Sequence, residues 1–171
     1  MASCCSERTK PLIAAIDGHA VAGGTEIALA CDLRVASAGS KFGIPEVKRS
    51  LVAAAAASCG SRVLPPAIAM ELALTGDTID AERAAHFGMI NAVCPPGDHV
   101  AEAMRLAERI TASAPLAVRA SRQLVLDAPG QSDRDGMRAA GKAMMDLAGT
   151  EDYAEGPRAF IEKRDPVWKG R

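Results

Sequence analysis

One stretch, from Pro11 to Ala36, limits what this chain can fold into more than any other. The aliphatic run PLIAAI (11–16) closes at Asp17-Gly18 and reads as a buried strand ending in a turn. A loop carries Gly18 to Gly24, and from Thr25 the run TEIALAC is apolar on every side except at Glu26. That pattern predicts a short helix sunk in the core, with Thr25 as its N-cap. Leu33 to Ala36 alternates like a strand, Lys41-Phe42-Gly43 forms a second one, and Ile44-Pro45-Glu46 breaks the pattern. Strand, helix, strand, strand is an α/β order.

The remainder is mainly helical. Ala67 to Leu74 ends at Gly76-Asp77, and Asp80 caps a helix that stops at Gly88. Met89 to Val93 is a further short strand. After the turn Pro95 to Asp98, the apolar residues Val100, Met104, Ala107 and Ile110 recur at helical spacing up to Pro115. Leu116–Leu126, Asp135–Leu147 and a last helix from about Asp152 complete the chain, with no internal repeat or low-complexity linker.

Composition narrows the function classes. Twenty Lys and Arg against 21 Asp and Glu leave a net charge of −1, which argues against a nucleic-acid arm or an electrostatic membrane-surface protein. Aromatic residues make up only 3%, too few for a base-stacking platform. The five cysteines are scattered without a CxxC pair, so the expectation is a reduced, cytoplasmic setting without a disulfide framework. The polar start lacks the apolar core of an export signal, and the apolar runs are shorter than a membrane span.

Glu26 is the residue that calls for an explanation. An ionised carboxylate buried without a partner costs several kcal/mol, whereas the helix dipole returns only about 0.3–1 kcal/mol. Either the first helical turn simply tolerates it, or it is a desolvated acid–base group. Gly23 and Gly24 at the same helix start leave backbone N–H groups unobstructed, as stabilisation of an oxyanion requires, although glycine is also an ordinary turn residue. Glu46 follows Gly-Ile-Pro after a strand, either as a solvated loop residue or as a carboxylate held at a rigid exit. Gly18 to Thr25 nearly spells a phosphate-binding loop, but Gly24 stands where the lysine is needed. His19, His86 and His99 have no metal-ligand spacing, and no G-x-S-x-G turn supports a nucleophilic triad.

The stretches KPLIAAIDGHAVAGGTEIALACDLRVAS, KFGIPEV, AMELALTGDTIDAERAAHFGMINAV and DYAEGPRAFIEKRDPVWKG resemble the enoyl-CoA hydratase/isomerase, or crotonase, superfamily. The likeness runs from Lys10 to Gly170 and includes both carboxylates at the family's twenty-residue separation. It implies an α/β spiral of ββα units: an unmatched tail over 1–9, a partial spiral core over 10–115 and a C-terminal helical trimerisation region over 116–171. It also implies that Gly23, beside Gly24, gives one N–H of an oxyanion hole for a CoA thioester. Glu26 would then be the base on water attacking C3 of a 2-enoyl-CoA, and Glu46 the proton donor to C2. Phe160 and Lys163 would touch the CoA of a neighbouring subunit in a homotrimer or hexamer. No cofactor or metal is implied, the CoA thioester being the substrate.

Relatives begin with a further third of the chain, which carries the second oxyanion donor. The resemblance therefore predicts either a hydratase weakened by truncation, a related isomerase or hydroxyacyl-CoA dehydratase, or a silent fragment acting as an assembly subunit. Losing one such donor costs about 2.7–4 kcal/mol in barrier height. Ala53 to Ala57 stands where many relatives are glycine-rich, so the loop shaping the acyl pocket is expected to differ.

Overall fold

The computed structural model describes residues 8–54 and 60–171. Cys4, Cys5, Cys59 and most of the alanine run, residues 55–57, lie outside the described residues. Two compact units are present, Met1–Ala107 and Glu108–Arg171.

In the first unit, the strands form two small sheets. β1 (Ile13–Ile16), β3 (Leu33–Ser37) and β6 (Ala92–Cys94) form a parallel sheet in the order β1-β3-β6. β2 (His19–Val21), β4 (Lys41–Gly43) and β5 (Thr78–Asp80) form the other, with β2 parallel and β5 antiparallel to β4. Each turn of chain thus lays one strand in each sheet. α1 (Gly23–Ala30) follows the first strand pair, and a 3-10 turn (Pro45–Arg49) follows the second. This is the α/β arrangement of ββα units that the resemblance implies. His19–Val21, expected in a loop, is instead a strand, because its short HAV segment finds a ladder partner in Lys41–Gly43.

The larger core gathers Phe42, Ile44, Leu72, Ile79 and Met89 between the second sheet and the helices α2 (Ser61–Val63), α3 (Pro66–Thr75) and α4 (Ala81–His86). Gly76 ends α3 in the left-handed conformation, and Asp80 caps α4 by accepting from Arg83 N–H at 2.8 Å, both as the sequence predicts. A smaller cluster joins Val35 and Cys94 to Ala103 of α5 (His99–Thr111). Burial raises the Cys94 thiol above its ordinary pKa, so this cysteine is inert packing.

Arg34 is a buried cation at 6% exposure. Its guanidinium donates to the carbonyls of Met89 at 2.5 Å and Cys31 at 2.7 Å, with a longer contact to Ala28 at 3.4 Å. Two of these carbonyls lie at the C-terminal end of α1, where the helix dipole favours a positive charge. The Arg34 N–H donates to Asn91 Oδ1 at 2.8 Å and the Asn91 N–H donates back to the Arg34 carbonyl at 2.9 Å, which locks the same strand to the loop before β6.

The second unit is helical: α6 (Pro115–Asp127), α7 (Asp133–Ala148) and α8 (Glu151–Glu162). Ser132 caps α7 and Thr150 caps α8. The C-terminal strap folds back on α8, where buried Asp152 accepts from the N–H groups of Lys169 at 2.7 Å and Gly170 at 2.9 Å. Glu155 grips Arg164 through two contacts, at 2.5 and 3.0 Å, and accepts from Val167 N–H at 2.8 Å.

The Arg164 hydrogen bonds, followed by that from Val167, hold the Glu155 pKa down at about 2. An unfolded Glu titrates near 4.3, so between those values the unfolded chain binds more protons than the folded one. Stability from this carboxylate is complete above about pH 4.3 and is lost as pH falls toward 2. Thermal melts over that window should show the parent declining more steeply than Glu155→Gln; parallel pH profiles would remove the carboxylate from the acid response.

Candidate active site

Strand pairing sets the elements that carry the two carboxylates side by side. The parallel register sets Ala20 against Phe42 and Val21 against Gly43. Beyond it the ladder continues for one bond, from Ala22 N–H to the Gly43 carbonyl at 3.0 Å. α1 begins directly after β2 and the 3-10 turn directly after β4, so both elements leave the same end of adjacent parallel strands. Glu26 sits in the first turn of α1 and Glu46 in the first turn of the 3-10 segment. Strand ends of this kind are where open α/β sheets place their ligands.

The helix start is built for an exposed donor. Ala22 adopts φ 52° and ψ −124°, a conformation that L side chains rarely take and that costs about 1–3 kcal/mol. No side chain caps α1, and its first helical bond runs from Glu26 N–H to the Ala22 carbonyl at 3.1 Å. The N–H groups of Gly23 and Gly24 precede that bond, where a helix has no internal acceptors. Gly23 is exposed, and a Cβ there would meet nothing among the described residues within 4 Å. An incoming oxyanion can approach it without displacing protein.

Glu46 is half-buried, and its Oε2 is fully buried with no hydrogen-bond partner among the described residues. An unpartnered buried acceptor costs about 1–3 kcal/mol, a feature that active sites tolerate more often than scaffolds do. The turn that carries it is well anchored. Lys48 bonds Asp77 at 2.6 Å, and Gly76 has φ +65° where a Cβ would lie 3.1 Å from side-chain atoms of Val47 and Lys48. Lys48 therefore serves the scaffold.

Two expectations about α1 need correction. Thr25 is not an N-cap, because the helix already starts at Gly23 and the Thr25 side chain turns inward, at 1% exposure. α1 is also not buried all round: Thr25, Ala28 and Leu29 form its buried face, whereas Ile27 is 72% exposed and Glu26 half-buried. Positions i, i+3 and i+4 of a short helix cover one stripe, and α1 packs against β2.

Gly43 went unrecognised as part of the site. A Cβ there would lie 2.8 Å from Thr78 Cγ2 and 3.0 Å from the Asp77 carbonyl, so glycine lets β5 close on β4 just before Glu46. A lone glycine inside a strand pattern was the available signal. Phe160 and Lys163 lie on the second unit, Phe160 85% exposed on α8 and Lys163 ending that helix in the left-handed conformation.

A second group of polar residues lies at the ends of β1, β3 and β6. His99 Nδ1 is 3.5 Å from Ser37 Oγ and 3.9 Å from Asp17 Oδ2. A catalytic relay uses one ring nitrogen for the nucleophile and the other for the carboxylate. Here both neighbours face the same nitrogen, so the group is no triad.

The enoyl-CoA hydratase/isomerase family profile matches residues 3–171. The chain belongs to that family. It is 42% identical over 162 residues to the (E)-benzylidenesuccinyl-CoA hydratase of Thauera aromatica, covering 94% of this chain and 63% of that protein. It is 37% identical over 167 residues to the carnitinyl-CoA dehydratase of Salmonella typhimurium, covering 95% and 64% respectively. Among solved structures, an enoyl-CoA hydratase from Mycobacterium tuberculosis superposes with a TM-score of 0.93 at 47% identity, covering 97% of this chain and 66% of that one. An enoyl-CoA hydratase from Bacillus anthracis also gives 0.93, at 32% identity, with 98% and 65% covered. The α/β crotonase architecture follows from these matches, and the chain spans just under two thirds of the length of each of these relatives.

Proposed function

We propose that this chain catalyses enoyl-CoA hydratase-type chemistry, adding water across the 2,3 double bond of a 2-enoyl-CoA in fatty-acid or acyl-CoA metabolism. The observation that carries the reading is that the elements bearing Glu26, Glu46 and the uncapped Gly23 N–H leave the same end of the β2–β4 pair. Glu26 takes a proton from the water that attacks C3. Negative charge passes through the conjugated system to the thioester oxygen, where the Gly23 N–H stabilises it. Glu46 then delivers a proton to C2 as the enolate collapses.

Hydration and dehydration share this transition state, so the same carboxylates run the reverse reaction on a 3-hydroxyacyl-CoA. The dehydratase named among the relatives supports that direction. Two carboxylates favour water addition over double-bond shift, for which one acid–base group suffices. Chemistry of this kind draws on the thioester for activation and calls for no added cofactor. The reading extends to a cytoplasmic homotrimer or hexamer, with Phe160 and Lys163 contacting the CoA of a neighbouring subunit.

The test follows the conjugated enoyl-thioester absorbance when the folded chain meets a short 2-enoyl-CoA in deuterated water. Loss of absorbance with a product heavier by one water and deuterated at C2 is expected. An unchanged mass with a displaced double bond would replace hydration by isomerisation. No consumption by a folded protein would overturn the enzymatic reading in favour of a silent assembly subunit.

A further inference from the structure

We infer that Thr25 is a positioning residue for the proposed hydration, its hydroxyl pinning the first turn of α1 to the end of β4 and so fixing Glu26 relative to Glu46. This rests on the functional reading above. Thr25 directly precedes Glu26, and Gly43 stands three residues before Glu46. The Thr25 hydroxyl lies 2.6 Å from the Ala20 carbonyl and 2.8 Å from the Gly43 carbonyl, and the Gly43 N–H points back to it at 3.3 Å. One hydroxyl thus joins the last turns of backbone in both strands that carry the site.

The hydroxyl has a single proton for two carbonyls. The Gly43 carbonyl already accepts from Ala22 N–H at 3.0 Å, so the proton is best used on Ala20, while the oxygen accepts from Gly43. Thr25 is 1% exposed, and bulk water cannot compete for these bonds. The hydroxyl also does nothing for its own helix, whose start has no side-chain cap. Its bonds run instead from α1 to both strands, to Ala20 of β2 and to Gly43 of β4, the strand leading to Glu46. Without them α1 can tilt about the strained Ala22, and a displacement of about 1 Å between reacting groups can cost ~10²-fold in rate.

The experiment compares Thr25→Val, which keeps the shape without the hydroxyl, with Thr25→Ser, which keeps the hydroxyl without the methyl. Both are measured in the full chain, below the melting range, with kcat and KM per folded protein. Thr25→Val should lower kcat by about 10–100-fold with KM within about twofold, and Thr25→Ser should stay within about threefold of the parent. A merely structural role lowers the melting temperature but leaves kcat per folded molecule unchanged, and that result would overturn the inference. So would equal losses in the two variants, since methyl packing would then be responsible. If Thr25→Val does not fold, Thr25→Cys, a weak donor of similar size, should show the same kcat loss, and a parental kcat would overturn the inference. A folded parent that consumes no 2-enoyl-CoA would remove both readings, whereas an active parent with an unaffected Thr25→Val removes only this one.

Discussion

Glu46→Gln should lower hydration of a short 2-enoyl-CoA by about 10²–10⁴-fold, and Glu26→Gln should do the same. The amide keeps the volume and planarity of the side chain, so its only large effect is to abolish proton exchange. At Glu46 the consequence is sharper, because Oε2 is a buried acceptor without a partner among the described residues. An amide nitrogen there can neither hold a transferable proton nor accept one. With Glu26 on water and Glu46 on C2, both losses fall on the same hydration and should not add, so the double variant should resemble the worse single one. Initial rates of absorbance loss at saturating thioester, with circular dichroism to confirm folding, decide the matter. A rate within threefold of the parent in either variant would strike that residue from the mechanism.

The largest stability loss is expected from Arg34→Leu. Leucine fills part of the space but leaves the carbonyls of Met89 and Cys31, now bonded at 2.5 and 2.7 Å, without their donor in a buried region. Each orphaned buried acceptor costs about 1–3 kcal/mol, giving about 3–5 kcal/mol once the favourable charge at the end of α1 is also lost. For a chain of this size that corresponds to a fall of about 10 °C in melting temperature. Arg34→Lys should recover only part of it, because one ammonium cannot reproduce the guanidinium fork. A melting temperature within 2 °C of the parent for Arg34→Leu would show that neighbouring groups rescue both carbonyls.

Local signals in the chain gave reliable guidance wherever the physics was local. The Asp80 cap, the left-handed Gly76 and the amphipathic helices of the second unit depend on residues a few positions apart, and they form as the pattern predicts. Short strands were harder, because three residues carry almost no periodicity. His19–Val21 and Thr78–Asp80 become strands only by pairing with Lys41–Gly43, more than twenty residues away in the chain. Thr25 shows the same limit within one residue. Its type suits a cap, and a cap is what local chemistry favours. The hydroxyl instead bonds Ala20 and Gly43, since the fold buries it against a strand end that no local rule brings near.

By itself the sequence determined the chemistry available: two carboxylates twenty residues apart, a glycine pair at a helix start, and the resemblance that gives them meaning. It also determined the α/β class, because apolar period and turn residues are written along the chain, while the ββα units came from the resemblance. Tertiary structure alone decided that Glu26 and Glu46 leave the same end of a parallel strand pair, that Gly43 must lack a side chain for β5 to close, and that Arg34 is buried among carbonyls. The reason is physical: such features are set by register and packing between distant segments, whose free energy resides in contacts that exist only once the chain has folded.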